Sequence, residues 1–96
     1  MQRITRNQLE LQAERINRIM GAPLTRWNDN GKMNVGHHYI SCAYGGYSLA
    51  RIANDGGGES SPLHTGHIPA RELSGLMYAY IYGLMDGERM AQQVAA

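Results

Sequence analysis

Residues 34–58, NVGHHYISCAYGGYSLARIANDGGG, decide the fold. At their centre Tyr44-Gly45-Gly46-Tyr47 separates two runs that read as β-strands. Paired glycines supply the positive φ angles of a tight hairpin connection. In the run 33–42, Val35, His37, Tyr39 and Ser41 alternate with His38, Ile40 and Cys42. That is the period-two pattern of a strand. Neither set is wholly polar, so both faces are expected to be partly covered. In 47–53, Tyr47, Leu49 and Arg51 alternate with Ser48, Ala50 and Ile52. Leu49, Ile52 and Ala53 also fall at helical spacing, so a helix over 47–54 stays open. Upstream, 24–27 is a further short candidate strand, joined to the next by Asn28-Asp29-Asn30-Gly31. Asn-Gly is a favoured hairpin turn. The expected product is a small antiparallel β-meander of two or three strands.

Outside this stretch the pattern turns helical. Thr5 and Gln8 stand at capping-box spacing. Leu9, Ala13, Ile16 and Met20 follow at steps of four, three and four, with Ile19 beside them. Gly21 offers a left-handed cap, and Pro23 prevents resumption. The spacing predicts a helix over 6–20. Downstream, 54–66 reads as a long glycine-rich loop. Pro69 suits the first position of a second helix, and Glu72 its first turn. Leu73, Leu76, Met77, Tyr80, Ile81 and Leu84 mark its apolar face, with Gly83 or Gly87 as candidate ends. The fold class is therefore α+β: N-terminal helix, β-meander, loop, C-terminal helix, with both helices on one sheet face. The 96 residues form one domain, about 5–85 its folded core and 86–96 a helical extension or tail.

Composition narrows the function. A chain this short has a small core, which oligomerisation can supplement. Formal charge is +1, too balanced for a duplex nucleic-acid binder. Every basic residue except Lys32 is arginine. Arginine suits bidentate contacts to carboxylate or phosphate, although a GC-rich genome yields the same bias. Cys42 is the single cysteine, so an intrachain disulfide is impossible and a reducing cytoplasm is the simple reading. The N-terminus lacks the apolar core of a signal peptide, and 73–85 is too short and punctuated to span a bilayer.

Three groups of residues could carry chemistry. The Tyr44-Gly45-Gly46-Tyr47 turn lets backbone approach a ligand while tyrosines stack on a ring, or it is simply a hairpin turn. A helix starting near Pro69 presents free backbone N–H groups to an anion, with His67 and Arg71 beside it. The bland alternative is a surface ion pair and a loop histidine. His37, His38, His64, His67 and Cys42 form the third group. Adjacent strand histidines point to opposite faces, and one thiolate does not make a structural zinc site, so no metal is expected. No Gly-x-Ser-x-Gly surrounds Ser41 or Ser48, and no useful carboxylate pair is visible, so neither enzyme activity nor a cofactor is expected.

Met20-Gly21-Ala22-Pro23, Asn34-Val35-Gly36-His37-His38-Tyr39, the segment from Ala43 through AYGGY to Leu49, and Gly66 to Leu73 with its Pro69-x-Arg71-Glu72 signature together resemble a family of small tailed-bacteriophage and prophage proteins. The resemblance spans about Leu9 to Leu84 and implies a source rather than a mechanism. Small phage accessory proteins of this type often counter host immunity. By that analogy the expectation is a non-catalytic anti-defence protein, acting in the host bacterial cytoplasm as a homo-oligomer that sequesters a nucleotide-type signalling molecule. The expected ligand-binding set is Tyr44, Gly45, Gly46, Tyr47, Arg51, His67 and Arg71. The alternatives are an anti-CRISPR-like inhibitor that binds a host defence protein directly, and a structural virion accessory protein. The nucleotide reading requires the YGGY turn to lie against the Gly66 to Arg71 helix start.

Overall fold

The computed structural model describes residues 3–95, in the order α1 (Arg6–Met20), β1 (His38–Ala43), β2 (Gly46–Ile52), β3 (Glu59–Ser60) and α2 (Ala70–Ala95). Helix α1 begins as the sequence dictates. Thr5 Oγ1 accepts from the Gln8 N–H, and the Gln8 side chain accepts from the Thr5 N–H at 2.8 Å. It ends in a Schellman motif: the Gly21 N–H donates to the Arg18 carbonyl and the Ala22 N–H to the Asn17 carbonyl, with Gly21 left-handed at φ 67°.

The sheet is antiparallel with strand order β1-β2-β3. Its hairpin is a two-residue type I′ connection, with positive φ at both Tyr44 (52°) and Gly45 (73°). The turn therefore lies one residue earlier than the paired glycines suggest, and Gly46 opens β2. Register places His38, Ile40 and Cys42 opposite Arg51, Leu49 and Tyr47 on one face. Tyr39, Ser41, Ser48, Ala50 and Ile52 share the other.

Both helices cover the first face. Leu9, Ala13 and Ile16 of α1 meet Leu73, Met77 and Ile81 of α2 and Ile40 and Leu49 of the sheet in one buried cluster. Burying each of the larger side chains is worth about 1.5–3 kcal/mol. The helix pair also holds a buried polar link: Gln12 Nε2 donates to the Ser74 carbonyl, and Ser74 Oγ donates to Gln12 Oε1 at 2.9 Å. On the other face Tyr39 reaches across β2 to donate its hydroxyl to the Glu59 carboxylate. Ala50 and Ile52 on this face are buried although no helix lies there.

Several expectations are corrected. Residues 24–27 make only an isolated bridge, Trp27 to Met33, because a turn at Asn34 to His37 with Gly36 at φ 96° diverts the chain before β1 begins. The third strand comes instead from inside the expected loop, where Glu59 and Ser60 pair with Ile52 and Arg51. Helix α2 starts just after Pro69, whose carbonyl accepts from the Leu73 N–H, and runs through both Gly83 and Gly87. Met20 and Leu76, assigned to apolar faces, are 43% and 40% exposed. The strand reading of 47–53 holds and the helix alternative does not.

Candidate functional site

The hairpin and the second helix start are joined by backbone. Tyr47 and Ile68 form an antiparallel bridge, N–H to carbonyl in both directions at 2.8 and 2.9 Å. This uses the edge of β2 that β1 leaves open. Close approach requires Gly46: a Cβ there would stand 2.9 Å from the His67 carbonyl carbon and 3.0 Å from the Ile68 nitrogen. Beside this seam the Tyr44 and His67 rings meet edge to face at 5.9 Å, and Ser41 Oγ lies 3.1 Å from His67 Nε2. Tyr44 is 98% exposed.

The YGGY turn and the Gly66 to Arg71 helix start therefore lie side by side. Gly45, Tyr47 and Arg71 line one cavity of about 510 Å³, together with Arg3, Ile4, Pro69 and Ala70. Arg3 could not have been nominated from sequence, because nothing in the pattern ties the chain's start to the α2 start. The opening of α2 directs backbone N–H groups without helical acceptors to the same end, and Glu72 in its first turn offsets part of that positive field. Gly46 is buried in the seam, while Tyr44 and His67 stand at its flank rather than in the cavity lining.

Arg51 is separated from this group. Four residues along β2 from Tyr47, about 13 Å at strand rise, it lines a different cavity beside Met20, Pro23 and His38. The seven expected residues thus divide: three line one cavity, three form its seam and flank, and Arg51 belongs elsewhere.

A third depression, of about 250 Å³, lies between α1 and the outer edge of β1, where His37, Tyr39 and Arg26 meet Glu10 and Glu14. The Arg26 guanidinium sits 4.2 Å from the centre of the Tyr39 ring, and His37 stacks on the same tyrosine at 6.3 Å. Burial, then the hydrogen bond to Glu59, pushes the Tyr39 phenol up to about 12. His38 is pushed down to about 4, first by burial and next by the charge of Arg51.

Among the described residues no group of three or more His, Cys, Asp or Glu side chains converges to hold a metal, and no helix is long and apolar enough to cross a membrane. His37 precedes β1, and its Nδ1 lies 2.9 Å from the Pro23 carbonyl oxygen and 3.4 Å from Asn17 Nδ2, while His38 Nδ1 lies 2.9 Å from Asn17 Oδ1, so both imidazoles reach the same asparagine. Comparison with known family models, curated proteins and solved structures gives no match.

Proposed function

We propose that the protein binds a phosphate-bearing, nucleotide-type ligand without transforming it, in the cavity between the YGGY hairpin and the start of α2. The observation that carries this reading is the Tyr47–Ile68 bridge, which gathers Tyr47, Arg71 and Arg3 around one nucleotide-sized space. Two arginines and a helix start favour a phosphate group. Tyr47 supplies an aromatic face, and Tyr44 offers a second at the rim. Together with the resemblance to small phage proteins, this supports a role in sequestering a nucleotide signal of host defence in the bacterial cytoplasm. Self-association is part of the proposal. Beyond Leu84 every residue of α2 from 85 to 93 is exposed, including Met85 and Met90, and a helical overhang of this kind gains stability when a second copy covers it.

Calorimetry against cyclic di- and trinucleotides and ADP-ribose derivatives tests the reading. Binding is expected with at least one of them and is lost in Arg71→Ala and Arg3→Ala, with melting temperatures within a few degrees of the parent. Absence of heat with the whole panel removes it. Light scattering of the purified protein reports the self-association independently.

A further inference from the structure

We propose that His38, Arg51 and Ser60 form a second binding site, which takes a small organic acid carrying a carboxylate, a hydroxyl donor and an apolar body. The three residues are one cross-strand row. His38 of β1 pairs with Arg51 of β2, and Arg51 pairs with Ser60 of β3. Partners in such a row project from the same sheet face, with adjacent strands about 4.8 Å apart. All three line a single open cavity of about 530 Å³, whose other side is lined by the C-terminal end of α1 and Pro23.

Each member lacks a partner that its chemistry calls for. None of the ion pairs among the described residues uses Arg51, which is half-buried. His38 is 2% exposed, and its Nε2 has no hydrogen-bond partner. The buried Ser60 Oγ has none either. Native structures rarely leave such atoms unsatisfied, so two in one row beside an unpaired arginine indicate an occupant. The tautomer of His38 is fixed. Asn17 Oδ1 accepts from the His38 backbone N–H and lies 2.9 Å from Nδ1, so Nδ1 carries the proton and Nε2 is an acceptor. With the ring held neutral by burial and by Arg51, that acceptor persists at physiological pH.

The occupant follows from these roles. A carboxylate matches the planar fork of Arg51. A hydroxyl next to it donates to His38 Nε2 and exchanges a hydrogen bond with Ser60. Met20 and Val35 accommodate an apolar body. One arginine among apolar walls balances a monoanion and leaves a phosphate dianion under-compensated. His38 Nε2 and Ser60 Oγ are closed to solvent within the cavity wall, so the ligand reaches them by displacing the half-exposed Met20 side chain. This site is independent of the nucleotide reading.

Mandelate, phenylacetate and inorganic phosphate serve as probes, titrated into isotopically labelled full-length protein while the His38 ring and the Arg51 and Ser60 amides are followed by NMR. Mandelate is expected to shift all three and to saturate. Phenylacetate, lacking the hydroxyl, should bind about tenfold more weakly, the equivalent of one hydrogen bond. Arg51→Gln should abolish both responses. Should that variant lose its folded spectrum, Arg51→Lys keeps the charge without the fork and should still weaken mandelate. The site is overturned if neither acid moves the His38 ring, or if the responses persist undiminished in the arginine variants. Tighter binding of phosphate than of mandelate overturns the organic-acid assignment.

Discussion

The side chain of Asn17 stands in for a neighbouring β-strand against His38. Its Oδ1 accepts from the His38 backbone N–H at 2.7 Å, and its Nδ2 donates to the His38 carbonyl at 3.0 Å. β1 is the edge of the sheet, and an open edge invites pairing with other chains. A buried carboxamide on α1 closes that edge where β1 begins and fixes the register of helix on strand.

Asn17→Ala removes both bonds and leaves a buried donor and acceptor unpaired. The expected cost is about 2–4 kcal/mol of folding free energy. Urea denaturation checks it, with the slope unchanged and the midpoint lowered. A loss below about 1 kcal/mol would mean that water replaces the amide without penalty.

His38 makes stability depend on acid. Its value falls from 6.5 to about 4 on folding, so the unfolded chain takes up the proton first as pH drops. The contribution is complete above pH 6.5 and is lost as pH falls through 4. Full protonation costs roughly 3 kcal/mol, from 1.36 kcal/mol per unit. Denaturation midpoints at a series of pH values, paired with NMR titration of the ring, measure this. A ring titrating near 6.5 would refute the linkage.

Tyr39 gives the opposite dependence. Burial and Glu59 raise its phenol from 10 to about 12, so its stabilising share is present below pH 10 and disappears as pH rises through 12. Tyrosinate absorbance should show a late-ionising component that vanishes in Tyr39→Phe. If the titration curves of parent and variant differ only in amplitude at ordinary tyrosine pH, the Glu59 contact does not persist in solution.

At the hairpin tip, stability and binding should move in opposite directions. Tyr44 adopts φ 52°, a region that asparagine tolerates better. Tyr44→Asn should raise stability by up to about 1 kcal/mol and weaken nucleotide binding by about 1–3 kcal/mol if the ring stacks on a base. Gly46→Ala, by contrast, drives a methyl into the His67 backbone and should cost about 1–3 kcal/mol of stability. Thermal melts and calorimetry on the two variants separate these effects.

The parts of the fold legible in the sequence are those where local chemistry and tertiary packing agree. Thr5, Gln8 and Gly21 set both ends of α1 through bonds to their own helix. Tyr44 to Tyr47 had to be a tight turn, because alternating runs flank it on both sides. The illegible parts depend on distant partners. Glu59 and Ser60 are a strand only because β2 offers them an edge. Gly83 and Gly87 fail to stop α2, since glycine ends a helix only where a left-handed cap is formed, and neither has positive φ. Asn17 lies eight residues from Leu9 and four from Ala13, on the apolar face, and that position was the available sign of a buried polar contact. At the candidate site Tyr47, Arg71 and Arg51 were grouped by chemistry alone; the bridge to Ile68, a contact between distant segments, joins the first two, and Arg51 shares their chemistry without their location.

Leu49 stands between Tyr47 and Arg51 on the same face of β2 and is fully buried in the core. It insulates the two cavities from each other. No ligand can bridge them without evicting a core side chain. The two proposed sites are therefore expected to fill without cooperativity. Substitutions at Arg71 and at Arg51 should combine additively in any assay that reads both.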